Sequence, residues 1–190
     1  MATQDWRERK KAETRHRIQE HALRLFLGKG YESTTVEQIA VAAGVSHMTF
    51  FRHFRTKEDV VLRDEYDPML ESLIRDRPRS EHPVTRIHAA VRDGLARIYA
   101  ADREALLVRT RLVLETPALR ARLLENQVAT RELLERALDG ATPSFETRVL
   151  ASVCLAALTT ALEVWVRGGG EAELPELIDD AFRVLDELVG

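Results

Sequence analysis

The sequence holds 190 residues, 45% of them hydrophobic and 31% charged, with a formal net charge of −3. That suffices for one large domain, or a small domain joined to a larger one, with a core of its own. The lone cysteine, Cys154, excludes an internal disulfide framework and fits a reducing cytoplasm.

The opening MATQDWRERKKAETRHR has positive charges with no apolar segment behind them, so a secretory leader is not expected. Charge is unevenly placed: residues 1–60 carry 11 Lys/Arg against 8 Asp/Glu, and the remainder 17 against 23. A basic end on an acidic body is the footprint of a polyanion-binding protein, the alternative being a solvated face. Helical spacing recurs along almost the whole chain. Ile18, Ala22, Leu25 and Phe26 mark one face of a helix over residues 7–27, stopped by Gly28 and Gly30. Thr34 and Glu37 have the spacing of a capping box, opening a short helix that buries Val36, Ile39, Ala40 and Ala43. Gly44 ends it where the chain reverses, and a Cβ there is expected to clash. Two residues on, Ser46 caps the next helix, giving the form of a helix-turn-helix. The stretch SHMTFFRHF then divides its aromatic rings between two faces. Phe50 and Phe54 fit packing against Ile39 and Phe26, whereas Phe51 turns outward beside His47.

Thr56 is the expected cap of a helix over residues 56–75, followed by a polar, proline-bounded linker at Arg77–Pro83. Further helices are expected over 84–101, 103–115, 117–139, 144–167 and 174–188. Pro117, Pro143 and Pro175 stand near helix starts, and Gly140 and Gly168–Gly170 act as stops. The fold class is all-α, with about nine helices. The mostly apolar stretch Val149–Leu162 falls short of the ~20 residues needed to span a bilayer, so no membrane partner is expected. There is no catalytic set, metal-ligand spacing or glycine-rich phosphate loop, which argues against an enzyme and against a cofactor.

Residues 22–61, ALRLFLGKGYESTTVEQIAVAAGVSHMTFFRHFRTKEDVV, resemble the N-terminal DNA-binding domain of the TetR family of bacterial transcriptional regulators. The shared elements are an A-x-x-L-F helix, a G-Y and T-T-V turn, I-A-x-x-A-G-V-S, an aromatic pair ending in F, and K-E at the next helix. The resemblance implies that the helix opening at Ser46 is the recognition helix, entering the major groove by its N-terminal residues. His47, Met48, Thr49, Phe51, Arg52 and His53 then fall at or near DNA. Thr35 and Lys57, each at a helix start, fall where the family touches phosphates. Met48 stands where glycine is frequent and Phe51 where tyrosine is frequent. Arg52 and His47 are the candidates for hydrogen bonds to bases; the alternatives are a phosphate contact for Arg52 and an exposed cap for His47.

The implied organisation is a helix-turn-helix domain over 1–56 and a helical effector-binding and dimerisation domain over 57–190. A two-fold dimer would set two recognition helices ~34 Å apart on an inverted-repeat duplex. The small stripe Leu150, Cys154, Ala157, Ala161 and Val164, with Leu177, Ala181, Val184 and Leu188 of the last helix, is assigned to the partner copy. An intrachain core is the alternative. His88, Tyr99, Arg109, Asn126, Thr130 and Thr160 are polar residues at positions that periodicity would bury, and so candidates for an effector pocket. The expected protein is a cytoplasmic homodimeric repressor that releases its operator when a small, hydrophobic effector binds. The effector would act by tilting the 56–75 helix.

Overall fold

Nine α-helices and no strand are present among the described residues, 2–62 and 66–189, of the computed structural model. The side chains at 2–5, 8, 66, 67, 100–102, 124, 188 and 189 lie outside that description. The chain divides into two compact units, Met1–Asp64 and Glu65–Gly190.

The first unit contains α1 (Ala2–Lys29), α2 (Val36–Ala42), α3 (His47–His53) and α4 (Lys57–Leu62). The expected face of α1 is present, with Ile18 and Ala22 wholly buried and Phe26 nearly so, but the helix begins at Ala2 rather than at residue 7. The capping box of α2 lies one residue later than the spacing suggested. Thr35 Oγ1 accepts from the Gln38 amide, and the Gln38 side chain accepts from the Thr35 amide. Thr34 is instead buried, its hydroxyl donating to the Gly30 carbonyl at 2.8 Å.

Between α2 and α3 the amides of Val45 and Gly44 donate to the carbonyls of Ala40 and Val41, which closes a Schellman motif. Gly44 has φ +63°, and an added Cβ would meet nothing within 4 Å. The expected clash is absent. Glycine is required there by the left-handed backbone alone. Of the helix expected over 56–75, the described residues form α4 (Lys57–Leu62) and α5 (Tyr66–Arg75), and residues 63–65 lie outside the description. The division expected at 56/57 differs from the compact units by α4, whose Val60 and Val61 are buried and which packs on α1.

The second unit contains α5 (Tyr66–Arg75), α6 (Pro83–Glu115), α7 (Pro117–Asp139), α8 (Phe145–Arg167) and α9 (Leu174–Val189). The helices expected over 84–101 and 103–115 are one helix, α6, because nothing in Ala100–Ala101–Asp102 breaks a helical backbone. Leu70, Ile74, Ile87, Leu134, Cys154, Trp165 and Phe182 form the heart of a single apolar cluster. Arg86 is also buried, with Nη2 donating to the Ile74 carbonyl at 3.0 Å and Nη1 to that of Leu138 at 3.4 Å. One guanidinium thus serves the C-terminal ends of both α5 and α7, where carbonyls lack helical partners. The α8 helix is long and apolar enough to cross a bilayer, since Val164, Trp165 and Val166 extend the run beyond Leu162. In this fold it packs against α6, α7 and α9, with Ala151, Cys154, Ala161 and Trp165 inside.

Gly44→Ala should cost the first unit about 1 kcal/mol in urea unfolding, from left-handed strain alone, and Gly44→Asn less. A loss several times larger would restore the steric explanation.

Candidate nucleic-acid interface

A seven-residue helix has too few internal hydrogen bonds to be stable by itself. The α3 helix is held by a cap and by two rings. Ser46 Oγ accepts from the Thr49 amide at 3.1 Å and lies 2.9 Å from the Thr49 hydroxyl. Phe50 and Phe54 are fully buried, with ring centroids 5.9 Å apart, and the Arg15 guanidinium of α1 lies 5.0 Å from the Phe54 ring. That leaves the other face of the helix free. Met48 is 67% exposed and Phe51 42% exposed, and Ser46, His47 and Arg52 are exposed as well. Arg52 has no ion-pair or hydrogen-bond partner among the described residues. Thr49 and His53 are half-buried.

Phe51 is turned outward but not loose. Its ring stands edge-on to Phe50 at 5.4 Å and to the His47 imidazole at 4.6 Å. His47 Nε2 in turn lies 3.3 Å from Glu37 Oε1, on the first turn of α2. Glu37 is held below the ordinary carboxylate range, first by its own backbone amide and then by the Thr35 hydroxyl. His53 is pushed down by burial, and further by Arg15 and Lys11 of α1.

Two of the expected phosphate-facing residues behave differently from one another. Thr35 is exposed, as the cap of α2. Lys57 is turned inward: its Nζ donates to the Tyr31 carbonyl at 3.0 Å and to that of Thr34 at 3.4 Å, and sits 4.2 Å from the Tyr31 ring. With Glu58 accepting from the Tyr31 hydroxyl at 2.7 Å, the start of α4 clamps the turn between α1 and α2. A phosphate contact would require this ammonium to exchange carbonyls for an external anion. Glu37 was read from the sequence only as a capping residue. Its place beside His47 arises from the crossing of α2 and α3, which no local spacing encodes.

In the second unit a cleft of about 940 Å³, open on one side, is lined by Arg111, Leu114, Arg120, Leu123, Glu163 and Arg167 among others. None of the six residues expected to form an effector pocket lines it. His88 lies 2.8 Å from Asp179 and stacks on Phe182, joining α6 to α9. Tyr99 donates to Glu173 at 2.7 Å and accepts from Arg103, so it serves the α8–α9 connection. Thr160 is exposed and bonds to the Ala156 carbonyl of its own helix. Arg109, Asn126 and Thr130 are half-buried. Hydrogen bonds within the unit thus occupy the polar groups of His88, Tyr99 and Thr160, whereas the cleft is lined by the end of α6, the start of α7 and the end of α8.

The small stripe of α8 is also repositioned. Cys154 and Ala161 are enclosed in the unit's own core, Leu150 and Ala157 pack against it, and only Val164 is exposed. The apolar residues left uncovered on α8 include Phe145, Val149, Val153, Ala156 and Val164. On α9, Leu177 and Ala181 are half-buried against the core and Val184 is exposed, while the side chain of Leu188 lies outside the described residues.

Phe50→Ala should destabilise the first unit by about 3–5 kcal/mol in chemical unfolding, and Phe51→Ala by less than about 1 kcal/mol. Lys57→Met should lower the unfolding midpoint even without DNA, since two carbonyls lose their donor; an unchanged midpoint would show that the inward contacts contribute nothing.

The pattern of bacterial regulatory proteins of the tetR family matches residues 18–63, and that of the MftR C-terminal domain matches residues 81–189. The chain is 40% identical to the HTH-type transcriptional regulator TcmR of Streptomyces glaucescens over 125 residues, 62% of this chain and 55% of that one. It thus spans about half the length of that relative. MftR of Mycobacterium tuberculosis is 27% identical over 93% of this chain and 91% of its own. Among solved structures, the TetR-family repressor FadR of Thermus thermophilus, in complex with lauroyl-CoA, is 25% identical with a TM-score of 0.54, covering 90% of this chain and 92% of its own. TylP, a TetR regulator of Streptomyces fradiae, is 28% identical with a TM-score of 0.53, covering 92% and 85%. A buried-backed, outward-facing α3 and two matched patterns that together span most of the sequence place this chain in the TetR family of bacterial transcriptional regulators.

Proposed function

We propose that the chain acts as a homodimeric repressor whose two α3 helices read an inverted repeat and whose second unit binds an anionic, amphipathic effector. The observation that carries the DNA-reading half is the leading edge of α3, where exposed His47, Met48 and Arg52 stand on a helix fixed from behind by Phe50 and Phe54. One such helix spans about half an operator, so tight binding calls for a second copy. The uncovered Val149, Val153 and Val164 of α8 and Val184 of α9 supply an apolar surface for that copy.

The chemistry of the cleft supports the effector class. Arg167 is tied to Glu163 at 3.0 Å, but Arg111 and Arg120 have no ion-pair partner among the described residues. Two guanidiniums beside Leu114, Leu123 and Val166 suit a carboxylate or phosphate head on an apolar body. The lauroyl-CoA bound by the Thermus thermophilus repressor is a ligand of this chemical kind. Such an effector weakens DNA binding only by favouring one arrangement of the dimer over another.

Selection from a random DNA pool should recover an inverted repeat, and Arg52→Ala should then lose ~1–3 kcal/mol if that arginine reads a base. Enrichment of single half-sites would remove the dimer. Acylated anions such as lauroyl-CoA should release the selected operator in a mobility-shift titration. Arg111→Ala combined with Arg120→Ala should raise the effector concentration required by about tenfold or more without altering operator affinity in its absence. Release by a neutral acyl ester at the same concentration would overturn the assigned ligand class.

A further inference from the structure

His47 is the first residue of α3, and its ring is restrained on two sides. The Phe51 ring meets it edge-on at 4.6 Å, and Glu37 Oε1 stands 3.3 Å from Nε2. A neutral imidazole carries one proton, and which nitrogen holds it depends on the other nitrogen's partner. A carboxylate can only accept, so it keeps the proton on Nε2. Nδ1 is then an acceptor with no protein partner among the described residues. We propose that Glu37 is a positioning residue for sequence recognition: it fixes the His47 tautomer so that Nδ1 meets a base edge as a hydrogen-bond acceptor.

This inference rests on α3 being the DNA-reading element. An acceptor complements the exocyclic amino groups of adenine and cytosine, whereas the other tautomer would present Nδ1–H, which complements the acceptors guanine N7 and O6, adenine N7 and thymine O4. The tautomer therefore decides which bases suit the position opposite His47. From α2, Glu37 is the charged group facing the ring; on α3 itself Arg52 and His53 follow, and Lys11 and Arg15 of α1 face His53. Its own backbone amide and then the Thr35 hydroxyl hold the Glu37 carboxyl below its usual range, which favours the accepting carboxylate.

The test is selection of DNA bound by the protein at about pH 8, where histidine is ordinarily neutral, with wild type, Glu37→Gln and His47→Ala. Glu37→Gln preserves size, but its amide both donates and accepts, so it no longer dictates the tautomer. Wild type should favour adenine or cytosine over guanine and thymine at one half-site position, by about tenfold. Glu37→Gln should flatten that position, leaving the others intact and the thermal unfolding midpoint unchanged. His47→Ala should flatten it as well. The wild-type preference retained by Glu37→Gln, or surviving in His47→Ala, would overturn the assignment while leaving DNA reading in place. Failure of wild type to enrich any sequence would overturn both.

Discussion

Burial of Phe50 and Phe54 is the constraint on which the DNA-facing surface depends. A helix of seven residues repays its nucleation cost only through contacts made outside itself. Placing both rings on one side supplies those contacts and, by the same act, commits the remaining positions to solvent. Exposure of Met48, Phe51 and Arg52 is thus the geometric complement of a core. A surface held in this way is also preorganised, because the helix behind it does not have to form on binding.

Cations in this protein serve three physically distinct purposes. Arg86 is buried and satisfies the carbonyl ends of two helices, a role fixed by geometry and costly to vacate. Lys57 lies across the turn between α1 and α2, with its charge shared among two carbonyls and an aromatic face. Arg52, Arg111 and Arg120 have no such partners among the described residues, which leaves their charge available to an external anion. Net charge does not separate these groups. Local satisfaction does.

The two units also differ in how far their sequences could be read. In the first, signals are short-range: the cap at Ser46, the stop at Gly44 and the spacing of Phe50 and Phe54 all lie within one or two helical turns. Even there, the capping box moved from Thr34 to Thr35, since adjacent threonines offer the same chemistry and only the fold chooses between them. In the second unit, apolar residues surround α8 on most sides. Cys154 and Ala161 were therefore assigned to a partner copy, whereas packing against α6, α7 and α9 encloses them and leaves Val149 and Val153 exposed. His88 and Tyr99 looked like ligand groups because their partners, Asp179 and Glu173, lie some 74 to 91 residues away in sequence.

By itself the sequence determined the helical class, the helix-turn-helix and the exposure of His47, Met48, Phe51 and Arg52 on α3, because helix period and capping are properties of neighbouring residues. Tertiary structure decided which face of α8 is core, where the arginine-lined cleft opens, that Lys57 turns inward and that Glu37 meets His47. Each of these depends on how separate helices cross, and a crossing is set by the summed packing of many side chains rather than by any local pattern.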